Sequence, residues 1–142
     1  MSEPAAPIVL DLVWEGALRF RGTAEQAAIV LDSEGQAGPS PVQALAFALA
    51  GCMAMDVVHI LAKGRSEPAA LTARLVGRRA AEDPRRLVKV DLHFKVAGPV
   101  QADRVERAIA LSREKYCSVW HSMRQDIELL TSFELVEGAP SR

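Results

Sequence analysis

Only two cysteines, Cys52 and Cys117, occur in the 142 residues, too few for a secreted scaffold stapled by disulfides. A surplus of one charge is missing as well: 17 Lys and Arg face 18 Asp and Glu, for a net charge of −1. Nothing is there to displace counterions from nucleic acid or to grip anionic lipid, so neither partner is expected. Long hydrophobic runs are absent too. The longest, Ala44 to Met55, has 12 residues, whereas a spanning helix needs about 20. The opening Met1-Ser2-Glu3-Pro4 holds an acid and no basic stretch, so no signal peptide is expected and the chain is placed in the cytoplasm. What is present is ordinary: 49% hydrophobic and 25% charged residues, in a length suited to one domain with its own core, residues 1–142. The Pro-, Ala-, Gly- and Ser-rich ends, Met1 to Pro7 and Glu137 to Arg142, are expected to fray.

Patterning predicts an α+β chain. Ile8 to Trp14, Leu18 to Arg21 and Ala27 to Leu31 read as three antiparallel strands separated by turn signals. A polar loop, Asp32 to Pro41, then feeds a helix: Ser40 suits the cap, Pro41 the first helical position, and Gly64 closes it after Lys63. That helix is apolar nearly all round, more than one subunit of this size covers, so a partner copy is expected. Leu71 to Arg79 and Leu87 to Val96 form the clearest hairpin. In its second strand Val88, Val90, Leu92, Phe94 and Val96 face one way, and Lys89, Asp91, His93 and Lys95 the other. Gln101 to Lys115 is an amphipathic helix with Val105, Ala108, Ile109 and Ser112 on its stripe. A short helix from Val119 to Arg124, capped by Ser118, and a strand from Ile127 to Val136 complete the order βββ-α-ββ-α-α-β, with mostly antiparallel pairing.

The residues able to carry chemistry gather around the cysteines. Cys52 lies mid-helix after Gly51, and is either a small buried hydrophobe or a thiol that needs a cation brought from elsewhere. Gly51 itself suggests that something approaches the helix closely. Asp56 and His59 share the Cys52 stripe, but two helical turns separate Cys52 from His59, about 10 Å, which is too far for a hydrolase dyad. Cys117 has Lys115 before it and His121 after it. At a helix N-terminus its thiol pKa would be lowered, suiting exchange; the alternative is an inert loop cysteine. A zinc site from Cys52, His59, Cys117 and His121 does not close easily at this spacing, and no metal is expected. Arg19, Arg21, Arg78, Arg79, Arg85 and Arg86 are strand-face or turn charges, from which the cation for Cys52 would have to come.

The segment Gly38-Pro-Ser-Pro-Val-Gln-Ala-Leu-Ala-Phe-Ala-Leu-Ala-Gly-Cys52, continuing Met-Ala-Met-Asp-Val-Val-His-Ile-Leu, resembles the OsmC/Ohr family of osmotically inducible and organic hydroperoxide resistance proteins. Glu114-Lys-Tyr-Cys117-Ser-Val resembles it as well, and both strings look like the OsmC-like subgroup. The resemblance implies antiparallel sheets wrapped around long central helices in an intertwined homodimer, with the sites at the subunit interface. It makes Cys52 the peroxidatic thiolate and Cys117 the thiol that resolves its sulfenic acid. An Arg of the N-terminal sheet activates the thiolate, here Arg19 with Arg21 second, and a Glu just after the loop proline orients that Arg. This sequence departs at the Glu: positions 42 and 43 are Val42 and Gln43, and Gln43 accepts a hydrogen bond without a charge to pair. The activity implied is stress-related reduction of organic hydroperoxides. No cofactor is bound, and an external dithiol or lipoylated protein serves as reductant. A non-enzymatic module of the same fold, binding a small apolar ligand at the dimer interface, is the alternative. A cysteine hydrolase using Cys52 and His59 is the third reading.

Overall fold

The computed structural model describes residues 2–137; the expectations for Met1 and for residues 138–142 lie outside it. The chain is α+β and divides into two compact units, Met1–Leu45 and Ala46–Arg142.

The first unit is an antiparallel meander, β1 (Asp11–Trp14), β2 (Arg19–Ala24) and β3 (Ala27–Asp32), in that order across the sheet. The first strand starts at Asp11 rather than Ile8, because β2 ends at Ala24 and the β1 ladder has its last partner in Thr23, opposite Asp11. In the loop after β3 the buried Asp32 carboxylate accepts backbone N–H bonds from Glu34 at 2.9 Å, Ala37 at 3.0 Å and Gln36 at 3.3 Å. The loop then doubles back, and its Pro39 carbonyl accepts from Asp32 N–H at 3.0 Å. Gly38 permits this return, since a Cβ there would collide with the Val30 carbonyl.

The Ala37 N–H, then the Glu34 N–H, and more weakly Gln36 and the Arg19 charge, hold the Asp32 carboxyl below the ordinary 3.8 of an aspartate against the opposing effect of burial. A depressed folded-state pKa contributes stability above the unfolded value and loses it as pH falls through the folded one. Asp32→Asn is therefore expected to lower the denaturant midpoint at neutral pH. Its deficit against wild type should shrink as both are titrated below pH 3.8, as circular dichroism in urea would record.

Helix α1 runs from Pro41 to Lys63. Its start is a reciprocal capping box: Gln43 N–H donates to Ser40 Oγ at 3.2 Å, and Ser40 N–H donates to Gln43 Oε1 at 3.0 Å. At the other end the left-handed residue is Arg65 (φ 60°), one past the glycine the sequence singled out. Ser66 N–H reaches back to the Leu61 carbonyl at 2.8 Å there. By length and a mean hydropathy of 2.0, α1 would pass for a membrane span. However, Leu49, Met53, Val57 and Leu61, one stripe at four-residue spacing, are buried in the core. Phe47 and Met55 are instead 71% and 73% exposed, with Leu45 and Val58 also open.

The second unit carries the sheet β4 (Ala70–Arg79), β5 (Leu87–Ala97) and β6 (Glu128–Val136), with β5 central. The predicted alternation of β5 is realised from Val90 onward: Val90, Leu92, Phe94 and Val96 are buried, each worth about 1.5–3 kcal/mol of transfer from water, whereas Val88 is half-buried and Leu87 takes the core, because the register with β4 shifts there. His93 on the opposite face meets Ser132 Oγ at 2.8 Å and Glu134 Oε1 at 3.1 Å. The antiparallel expectation fails for β6, which runs parallel to β5. The helical return between them supplies the crossover that a parallel pair requires. That return is α2 (Ala102–Leu111), a π-helical turn (Ser112–Tyr116) and α3 (Ser118–His121). The two helices are thus shorter than the sequence suggested, Gln101–Lys115 and Val119–Arg124. The π-turn ends the first, and Ser122 leaves helical geometry after His121.

Candidate functional site

Cys52 and Asp56 sit one turn apart on α1, on the same stripe. The α2 stripe of Val105, Ala108 and Ile109 is buried, and continues into Ser112, whose hydroxyl is fully buried as well. A buried hydroxyl needs a partner, and Ser112 Oγ donates to Asp56 Oδ2 at 2.8 Å. Beyond Ser112 the helix widens by one residue: Cys117 N–H donates to the Ser112 carbonyl at 2.8 Å, a five-residue step. The chain then turns extended at Cys117 (φ −71°, ψ 99°) and starts α3. Cys117 itself caps that helix, its Sγ accepting from Trp120 N–H at 3.3 Å. The sequence had assigned the cap to Ser118; the Ser118 hydroxyl lies instead 4.0 Å from Cys52 Sγ.

These elements converge on one point. Cys52 Sγ, Cys117 Sγ and a carboxylate oxygen of Asp56 all lie within 4.8 Å of one another. Cys117 is fully buried and Cys52 half-buried, so an incoming molecule meets Cys52 first. A disulfide needs sulfurs about 2 Å apart, which leaves a closing movement of under 3 Å for the pair.

The expected lowering of the Cys117 thiol pKa does not occur. Burial dominates and, despite the Trp120 N–H, pushes the thiol from 9.0 up to about 11, with Cys52 adding to the rise. Lys115, the cation presumed to act on it, lies over the Tyr116 ring instead, 5.3 Å from its centroid. A thiol held up in this way is mostly protonated at neutral pH, and the thiolate is the attacking form. After one equivalent of oxidant, the rate of Cys52–Cys117 disulfide formation should therefore climb as pH rises from 7 towards about 11, which quenched-flow alkylation would follow.

The other sequence-selected residues lie as follows. Arg19 pairs with Asp32 directly across β2 and β3, at 3.7 Å, and its buried Nε finds no hydrogen-bond acceptor among the described residues. Arg21 is engaged by Glu15 at 3.1 Å. Gln43 spends its side-chain oxygen on the α1 cap. His59 borders an apolar concavity with Met55, Val58 and Leu71, and the His121 ring lies 3.1 Å from the Arg113 carbonyl. Near Cys52 Sγ stand the Ser118 hydroxyl, at 4.0 Å, and the Asp56 carboxylate and Cys117 Sγ, within 4.8 Å. No Cβ at Gly51 would meet any atom within 4 Å, so the described residues leave that side of α1 open. The sequence puts Ser112 on the buried stripe but does not reveal its partner Asp56, and it offers Ser118 as a cap rather than as a neighbour of Cys52.

Residues 33–132 match the sequence model of the OsmC-like protein family. Protein YhfA of Escherichia coli strain K12 is 38% identical over 126 residues, covering 87% of this chain and 94% of the relative. The crystal structure of a hypothetical protein from Aquifex aeolicus VF5 superimposes with a TM-score of 0.87 at 25% identity, over 94% of this chain and 99% of that one. An organic hydroperoxide resistance protein OsmC from Legionella pneumophila superimposes with a TM-score of 0.68 over 92% and 98% of the two chains; at 15% identity that likeness is one of fold.

Proposed function

Because the chain belongs to the OsmC-like protein family, we propose that it is a thiol-dependent peroxidase for organic hydroperoxides, with Cys52 as the attacking and Cys117 as the resolving thiol. The observation that carries this reading is the approach of the two sulfurs to within 4.8 Å, one reachable and one buried behind it. The Cys52 thiolate attacks the O–O bond, takes one oxygen as sulfenic acid and releases the alcohol once a proton is supplied. Cys117 then attacks the Cys52 sulfur, a disulfide forms, and the sulfenic oxygen leaves as water with the Cys117 proton. An external dithiol or lipoylated protein returns both thiols, in a reducing compartment such as the cytoplasm. Arg19 is proposed as the activating cation. The support is a comparison with Arg21: Arg21 Nε is hydrogen-bonded to Glu15 at 3.1 Å, whereas Arg19 Nε stands 3.7 Å from Asp32, an ion pair without a hydrogen bond.

The functional unit in this reading is a homodimer. Phe47, Met55 and Val58 on α1, and Leu10, Leu12, Val13 and Trp14 in the first unit, are large apolar side chains left open, which a second copy would cover. The protein from Legionella pneumophila that is named for organic hydroperoxide resistance shares the fold.

The test is peroxide consumption by the reduced chain with dihydrolipoate and cumene hydroperoxide. Turnover supports the peroxidase. Binding of an apolar hydroperoxide without consumption leaves the ligand-binding module in its place.

A further inference from the structure

The peroxidase cycle uses two thiols and gives Asp56 nothing to do. Neither thiol step calls for a carboxylate, yet one is held beside the two sulfurs by a fully buried hydroxyl, Ser112 Oγ at 2.8 Å. Two sulfurs and one carboxylate oxygen mutually within 4.8 Å are a donor set for a borderline-soft divalent cation. We propose that the reduced chain binds one zinc ion through Cys52 Sγ, Cys117 Sγ and an Asp56 carboxylate oxygen, with water in the fourth position.

The geometry is close to what the ion demands. Tetrahedral zinc with Zn–S bonds near 2.3 Å and a Zn–O bond near 2.0 Å sets its sulfurs roughly 3.8 Å apart and each sulfur roughly 3.5 Å from the oxygen, so the three donors close by at most about 1.3 Å from the observed limit of 4.8 Å. The outer partners are in place: Ser112 orients Asp56, and Trp120 N–H already points at the Cys117 sulfur. Cys52 and Asp56 are half-buried, which leaves a way in. Charge balances as well. Zinc enters as the two thiol protons leave, and with the carboxylate the site carries one net negative charge. A disulfide offers no thiolate, so oxidation of the pair would release the ion, and the bound ion would occupy the lone pair with which Cys52 attacks. Neither statement rests on peroxide turnover: a chain inert towards peroxide would still hold zinc.

The reduced, metal-free chain is titrated with zinc against a competing chromophoric chelator, without peroxide. One zinc per chain is expected, with affinity lost in Cys117→Ser and in chain oxidised to the disulfide. Ser112→Ala should weaken binding about 10-fold, as loss of an outer-sphere partner does, and Asp56→Asn by more than that. Equal affinity in wild type and Asp56→Asn, or in reduced and oxidised chain, overturns the site. Cobalt(II) added to unmutated reduced chain gives a check free of folding effects: a thiolate-to-cobalt charge-transfer band is expected, and its absence overturns the proposal. Peroxide consumption by chelator-treated chain is measured separately, so failure of the peroxidase reading and failure of the metal site are distinguishable.

Discussion

Cys52→Ser is expected to reduce peroxide consumption to the rate of dithiol and peroxide alone, while leaving the fold intact. The half-buried position needs only a small side chain, and the serine hydroxyl finds Ser118, already 4.0 Å from Sγ, as a partner. An alcohol lacks the low-lying acidity and the nucleophilic sulfur that the O–O bond requires. Cys117→Ser should behave differently. Without added dithiol, the first equivalent of peroxide is consumed at the wild-type rate and the product is then a sulfenic acid rather than a disulfide, because no second thiol of the chain condenses with Cys52 before further oxidation. Stopped-flow peroxide loss combined with mass spectrometry separates the two: no added oxygen in the first variant, one or more on Cys52 in the second. Wild-type rates in Cys52→Ser would remove the enzyme reading.

The second large effect concerns the open apolar residues of α1. Wild type is expected to sediment at twice 15.4 kDa, and Phe47→Asp combined with Met55→Asp to sediment as a monomer or to lose its cooperative melt. Apolar anchors at the centre of an interface typically cost about 2 kcal/mol or more each when removed, and a buried unpaired charge adds to that. In a chain that is monomeric to begin with, the same two substitutions would lie in water and leave sedimentation unchanged. Equilibrium sedimentation over a range of concentrations decides between them. A stable, folded wild-type monomer would end the dimer proposal.

The parts of the fold that the sequence made legible are those set by short-range pattern. The β5 alternation, the α2 stripe and the start of α1 all depend on residues within four positions of one another, and Ser40 with Gln43 is a local capping signature. The direction of β6 is not of that kind. A strand of the same composition pairs either way, and the crossover through α2 decides it. The pairing of Arg19 with Asp32 follows from register across a meander, which residue types alone do not reveal. In the site, helical spacing placed Asp56 beside Cys52. The behaviour of Cys117 was misjudged because nearness in sequence to Lys115 stood in for nearness in space. Burial, a property of the whole second unit, sets the state of that thiol.

The π-helical turn makes the meeting of the two thiols a matter of phase. An α-helix advances each side chain by 100° about its axis, and Ser112–Tyr116 inserts one residue beyond the regular count before Cys117. Shortening that stretch by one would regularise the helix and improve its hydrogen bonding, yet swing the Cys117 sulfur about a quarter turn away from Cys52. Both cysteines would remain in the sequence, and so would every residue they touch. A descendant of this chain could thus lose its dithiol chemistry through a deletion that no comparison of its reactive residues would register.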